Sequence, residues 1–146
     1  MELQKKINPR LWGPSGWKFL HYVALGYPNS PTDEQKKNYY IFFQNLQNVL
    51  PCEKCSVNFK ENLKKYPLEE SLENTDSLFR WTIDIHNEVN KETGKRIYSY
   101  EEVYKEYYHA NNQNEYEIIM IIALILFIIF IVILIQNKTN CFSRFF

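Results

Sequence analysis

Residues 71–90 read SLENTDSLFRWTIDIHNEVN, and the architecture of the chain turns on how this stretch folds. Leu72, Leu78, Phe79 and Ile83 fall at helical spacing, with Ile85 beside them, so the stretch reads as an amphipathic helix. At its end the pattern changes. His86 and Asn90 are four apart and Asn87 and Asn90 three apart, so polar groups gather on one face just where a bundle would otherwise be sealed. A hydrogen-bonded interior histidine and a helix C-cap at Asn90 are the structural readings of that face, and a binding site is the functional one.

Helical spacing continues upstream. Trp17, Leu20, His21, Ala24 and Leu25 mark one stripe, which ends near Tyr27 and Pro28. The sequence Asn29-Ser30-Pro31-Thr32-Asp33 is turn chemistry and offers Thr32 or Asp33 as the cap of a second helix reaching about Val49. Tyr39, Phe42, Phe43, Leu46 and Leu50 form its inner face. Pro51 opens a third helix, with Cys52, Cys55, Phe59 and Leu63, closed by Tyr66 and Pro67. Beyond Thr93 and Gly94, residues 100–109 (YEEVYKEYYH) read as a short fifth helix. The expected fold class is all-α: an up-and-down four-helix bundle with a short fifth helix, followed by one C-terminal transmembrane helix.

The last element is read from residues 118–135, IIMIIALILFIIFIVILI, which carry no charge. At about 1.5 Å per residue they cover roughly 27 Å, close to the hydrocarbon thickness of a bilayer. Tyr116 suits an interface. The expected division is a domain at 1–110, a polar tether at 111–116, a transmembrane helix at 117–136 and a short tail at 137–146. The opening MELQKKINPR has no apolar run of the secretory kind, and the span lies late in the chain. A single-pass C-terminal anchor with the domain facing the cytosol is therefore expected. Lys138 and Arg144 after the span, with Glu115 and Glu117 before it, pull the other way under the positive-inside tendency.

With 17 basic and 17 acidic residues among 146, the chain has no net charge, and phosphate-driven nucleic-acid binding is not expected. Three cysteines do not make a disulfide-stapled scaffold. Cys52 and Cys55 form a CxxC at a helix start, where the dipole and exposed amides favour thiolate and two-residue spacing permits a disulfide across one turn. That pattern suits thiol exchange. It also suits half of a zinc site, which would have to recruit His21 and His86, so a membrane-anchored zinc-binding adaptor is the alternative function.

Taken together, these residues resemble the flavin-linked sulfhydryl oxidases of the Erv/ALR type. The likeness covers about residues 11–108. It begins with WGPSGWKFLH at 12–21, passes through Tyr27-Pro28 and PCEKC at 51–55, and reaches HNEVN at 86–90, in order and at matching separations. The resemblance implies a bundle that holds FAD beside the cysteine pair, usually as a homodimer. It places Gly13, Trp17, His21, His86, Asn87, Val89, Asn90, Lys95 and Tyr107 around the cofactor. Cys55 corresponds to the thiol next to the flavin and Cys52 to the outer thiol that meets substrate. The implied activity passes electrons from client dithiols through Cys52 and Cys55 and FAD to oxygen, forming disulfides and hydrogen peroxide.

The chain departs from the family pattern in several places. Pro14 stands where many members have arginine, with Arg10 or Arg96 as substitutes. Arg96 stands where proline is usual and Tyr107 where tryptophan is common. Two cysteines that are bridged in many relatives fall at Ile83 and Tyr100. A second, shuttling cysteine pair is not seen: Cys141 stands by itself beyond the span. Thiol-containing client proteins, or a small thioredoxin-like electron carrier, are thus the expected partners. Compact members of this kind occur in large cytoplasmic DNA viruses, where they serve virion membrane proteins. The endoplasmic reticulum and the mitochondrial intermembrane space are the other compartments that the resemblance allows.

Overall fold

The computed structural model describes residues 7–142, with side chains described at 7–108 and 116–135. The helices are α1 (Pro9–Leu25), α2 (Asp33–Val49), α3 (Glu53–Lys65), α4 (Thr75–Glu92) and α5 (Tyr100–Phe142), and no strand occurs among the described residues. Two compact units divide at residues 103 and 104, inside α5.

Local chemistry sets where each helix starts. Pro9 opens α1, where a missing N–H costs nothing, and Asn8 accepts from the Arg10 amide at 3.0 Å. Thr32 and Gln35 cap α2 reciprocally, and Asn74 and Ser77 do the same for α4. The Ser99 hydroxyl accepts from the Glu102 amide at 3.2 Å, while the Glu102 carboxylate accepts from the Ser99 amide at 2.9 Å. After α4 the chain turns at Gly94, whose φ of +66° only glycine adopts freely.

In the first unit α4 is the central helix and packs on α1 and α3, while α2 packs on α3. Leu78, Phe79, Trp81, Thr82, Ile83, Ile85 and Asn90 are all buried on it. The Phe43 ring of α2 meets Trp81 edge-on at 5.2 Å, and the Trp81 indole N–H donates to the Tyr66 carbonyl at 3.0 Å. Of the five residues expected on the inner face of α2, only Phe43 is fully buried; Tyr39, Phe42, Leu46 and Leu50 are half-buried.

Two boundaries differ from the sequence reading. The fourth helix starts at Thr75 rather than 71, because Glu69–Ser71 form a 3-10 turn and Asn74, at φ −162°, is extended to serve as cap. The fifth helix does not stop at 109: residues 110–115, which include most of the tether expected at 111–116, continue it. That stretch, ANNQNE, contains neither glycine nor proline, and helix propagates cheaply between two helical flanks.

In the second unit every residue at 116–135 is exposed, and Tyr116–Ile135 is long and apolar enough to cross a bilayer. Met1, its five successors and Arg144 lie outside the described residues, and the Lys138 and Cys141 side chains lie outside the described side chains.

These elements differ in what they contribute. Phe43→Ala is expected to cost about 3–5 kcal/mol, by loss of a buried ring and the cavity left behind. Thr32→Ala is expected to cost about 1 kcal/mol, the loss of one cap. Chaotrope unfolding followed by circular dichroism measures both, and equal losses would contradict the central position of Phe43.

Candidate functional site

Cys52 is the N-cap of α3. Its backbone is extended at φ −152°, and Sγ accepts a hydrogen bond from the Cys55 amide at 3.2 Å. Cys55 lies in the first helical turn, and the two sulfurs form a disulfide across Cα atoms 5.1 Å apart. Both residues are half-buried. The first-turn amides and the positive end of the helix dipole therefore point at sulfur, the arrangement that stabilises a thiolate when the bond opens.

Ties between α3 and α4 fix what lies next to this turn. The Asn58 amide donates to the Glu92 carboxylate at 2.6 Å, and further along α3 the Tyr66 hydroxyl donates to Glu88 at 3.0 Å. Lys65 pairs with the same Glu88 and holds its pKa below the ordinary carboxylate range. The two helices thus run antiparallel, which brings the cysteine end of α3 to the C-terminal end of α4. That end carries His86, Asn87, Val89 and Asn90.

Between α4 and α1 lies a chain of polar side chains inside apolar packing. His21 is buried; its Nδ1 is 2.9 Å from Thr82 Oγ1 and its Nε2 is 3.1 Å from His86 Nδ1. The Thr82 hydroxyl donates to the Phe79 carbonyl at 2.7 Å. Trp17 stacks on the His86 ring, with centroids 4.3 Å apart and planes within 8°. Burial, then the neighbouring His86, lowers the His21 pKa to about 3. Burial, then the Lys95 charge, lowers that of His86 to about 4. Both rings are neutral near pH 7. Trp17, His21, His86 and Lys95, far apart in sequence, are thereby brought into one neighbourhood.

The remaining expected residues are placed as follows. The Asn87 side chain mimics a backbone: its carbonyl accepts from the Tyr98 amide at 3.0 Å and its amide donates to the Tyr98 carbonyl at 2.8 Å. Asn90 is buried, and its Nδ2 has no hydrogen-bond partner among the described residues. Val89 is half-buried, Lys95 is exposed, and the space around the Gly13 Cα is open. Tyr107 lies on α5 in the second unit. The Arg96 guanidinium, a candidate for the role vacated at Pro14, pairs with Glu102 and stacks over Tyr98. Arg10 is exposed, with its backbone amide on Asn8.

Three side chains that the sequence did not single out belong to this description. Trp12 Nε1 and Asn62 Nδ2 are buried donors without partners, like Asn90 Nδ2. The signals were present: Asn62 interrupts the apolar stripe of Cys55, Phe59 and Leu63, and Trp12 precedes Gly16 by one turn, where its ring lies 3.2 Å from the position of a Cβ. Thr82, the third, is hidden among large apolar neighbours. Among the described residues no group of three or more His, Cys, Asp or Glu gathers as a metal site would require. His21 instead bonds to His86 and to Thr82.

A CxxC disulfide at a helix N-terminus of an all-helical bundle, with two neutral histidines between α1 and α4, defines a dithiol–disulfide centre on a helical scaffold. The Erv1 / Alr family model matches residues 14–109. The chain belongs to that family. It is 52% identical over 97 residues to a protein of Acanthamoeba polyphaga mimivirus named "Probable FAD-linked sulfhydryl oxidase", covering 66% of this chain and 68% of the other. It is 34% identical over 106 residues to an "FAD-linked sulfhydryl oxidase" of African swine fever virus, covering 73% and 87%. The crystal structure of the yeast Erv1 core superposes with a TM-score of 0.63 at 29% identity, covering 73% of this chain and 91% of that one. Against full-length plant and yeast relatives the match spans about half their length, 47% and 49%.

The neutral histidines make a pH prediction. Unfolded histidine takes up a proton near pH 6.5, whereas in the fold His21 and His86 do so only near 3 and 4. Between those limits the unfolded chain binds more protons, so their contribution is fully present above about pH 6.5 and is lost as pH falls. Unfolding free energy measured from about pH 7.5 to 5 should decrease, and His21→Gln should flatten the slope. An unchanged slope would remove these rings as its source.

Proposed function

We propose that the chain is an FAD-linked sulfhydryl oxidase that forms disulfides in client proteins. The observation that carries this reading is the Cys52–Cys55 disulfide at the N-terminus of α3, held by the Asn58–Glu92 tie beside the His86–Asn90 end of α4. The residues present suit FAD. Trp12 Nε1, Asn62 Nδ2 and Asn90 Nδ2 are buried donors without partners among the described residues, and FAD is rich in carbonyl, ring-nitrogen and phosphate acceptors. Gly13, Trp17, His86, Val89, Asn90 and Lys95 would hold it. His21 would support His86, and Asn87 would fix the Tyr98 segment.

The chain's own chemistry is thiol–disulfide exchange. A client thiolate attacks Cys52 Sγ, the Cys52–Cys55 bond breaks, and its electron pair leaves on Cys55 Sγ, which the first turn of α3 stabilises as thiolate. The client's second thiolate then attacks the mixed disulfide and frees Cys52 Sγ, which accepts from the Cys55 amide at the cap. Two electrons have moved to the protein and the client holds a new disulfide. FAD, when bound, supplies the two-electron acceptor that restores the protein disulfide and passes the pair to oxygen, giving hydrogen peroxide.

Partners follow from the same reading. Dithiol-bearing clients, or a thioredoxin-like carrier, would meet Cys52. A second copy would cover the outer face of α1 and α2, where Phe19 packs edge-on to Phe42 at 6.3 Å while 58% exposed. Tyr116–Ile135 would anchor the domain to a membrane, and likeness to viral relatives supports work on virion proteins.

The purified chain is expected to be yellow, absorbing near ~450 nm, and to consume oxygen when given dithiothreitol. Cys55→Ser should abolish that uptake while retaining colour. A folded, colourless protein that takes up no FAD overturns the reading.

A further inference from the structure

We propose that Thr82 fixes the proton positions on His21 and His86 so that His86 offers Nε2 as a bare acceptor, selecting an O–H or N–H of the bound FAD in preference to a phosphate oxygen. The inference rests on the FAD-binding reading above and adds a positioning residue to it.

The polarity follows from the far end of the chain of bonds. Thr82 Oγ1 lies 2.7 Å from the Phe79 carbonyl oxygen, which can only accept, so the single hydroxyl proton lies between those two atoms. Pointing it at His21 instead would set two oxygen lone pairs against each other in a buried site. Thr82 Oγ1 must then accept from His21, so Nδ1 carries the proton at 2.9 Å. A neutral imidazole has one N–H, so His21 Nε2 is bare and accepts from His86 Nδ1 at 3.1 Å. His86 has its only proton on Nδ1, and its Nε2, with no partner among the described residues, is an acceptor. Trp17, stacked flat on His86, holds the ring in that plane. Both rings are kept neutral by burial, as the one-proton rule requires.

Each link between two imidazoles, or between an imidazole and a hydroxyl, can run in either direction. Only the carbonyl removes that freedom, and Thr82 is the residue that transmits it. An anionic phosphate would meet a lone pair at His86 and be repelled, whereas a hydroxyl or N–H would be bound.

The test uses the full chain in detergent, labelled with 15N-histidine. Bound FAD is quantified by absorbance, and two-bond 1H–15N correlation spectra identify the protonated nitrogen of each ring. His86 should carry its proton on Nδ1 in the wild type and in Thr82→Ser. Thr82→Val, which keeps the shape but removes the acceptor, should show a mixed or reversed pattern at both rings and retain FAD roughly tenfold less tightly. A wild-type His86 protonated on Nε2 overturns the proposal, and so does a Thr82→Val protein with unaltered tautomers. Should the valine variant fail to fold, the wild-type and serine spectra decide alone. A chain that takes up no FAD, yet shows the assigned tautomers, overturns the cofactor reading and supports the Thr82 relay.

Discussion

The constraint on which this molecule depends is the burial of α4 on nearly every side. A helix so enclosed can carry polar groups only if each is answered, since an unpaired buried donor costs on the order of 1–3 kcal/mol. Along its first three turns the fully buried side chains of α4 are apolar apart from Thr82, whose hydroxyl is satisfied by Phe79 and His21. Toward its end the demand is met differently. Glu88 is answered by Lys65 and Tyr66, Asn87 by the backbone of Tyr98, and Asn90 Nδ2 by nothing among the described residues. The helix that organises the bundle is thus also the one that leaves it chemically incomplete at one end. The tie from Asn58 to Glu92 sets the disulfide turn beside that end.

Much of this was legible in the sequence, for physical reasons that can be named. Helix starts were announced by caps whose chemistry is local: Thr32 with Gln35, and Pro51 before Cys52. The CxxC by itself left thiol exchange and half of a zinc site open, and only its order and separation from WGPSGWKFLH and HNEVN favoured the first. Legibility was lost where side chains answer to distant partners. Thr82 looks like a small polar residue in a core, and its role depends on His21, which is 61 positions away. The helix through 110–115 was obscured because asparagine-rich composition reads as loop, although nothing there breaks a helix.

Departures from the family pattern are offset by contacts nearby. Where many relatives join α4 to the start of the next helix by a disulfide, Ile83 is packed into the core and the connection passes to its neighbour. The Tyr100 hydroxyl donates to Asp84 at 2.7 Å, with Arg80 over the Tyr100 ring. Burial of the hydroxyl, then the Asp84 carboxylate, pushes the Tyr100 pKa up to about 12, so it stays a donor throughout the physiological range. Asn87 and the Ser99–Glu102 cap hold the same junction from either side. A cluster of reversible contacts thereby does what a covalent cross-link does elsewhere, without a second pair of thiols that could exchange with Cys52 and Cys55.

The electrostatics of the disulfide turn point to one source of thiolate stability. Reactive cysteines are often activated by a neighbouring imidazolium, but His21 and His86 are both neutral in this fold and have no charge to lend. The two residues between the cysteines, Glu53 and Lys54, are exposed and of opposite sign, so their effects on sulfur largely offset. What remains is α3 itself, whose Cys55 amide donates to Cys52 Sγ and whose positive dipole end acts at short range in a half-buried site. Such a source does not titrate near neutral pH. The ease of opening Cys52–Cys55 is accordingly set by the geometry of a helix start, while the histidines are left to serve the cofactor pocket.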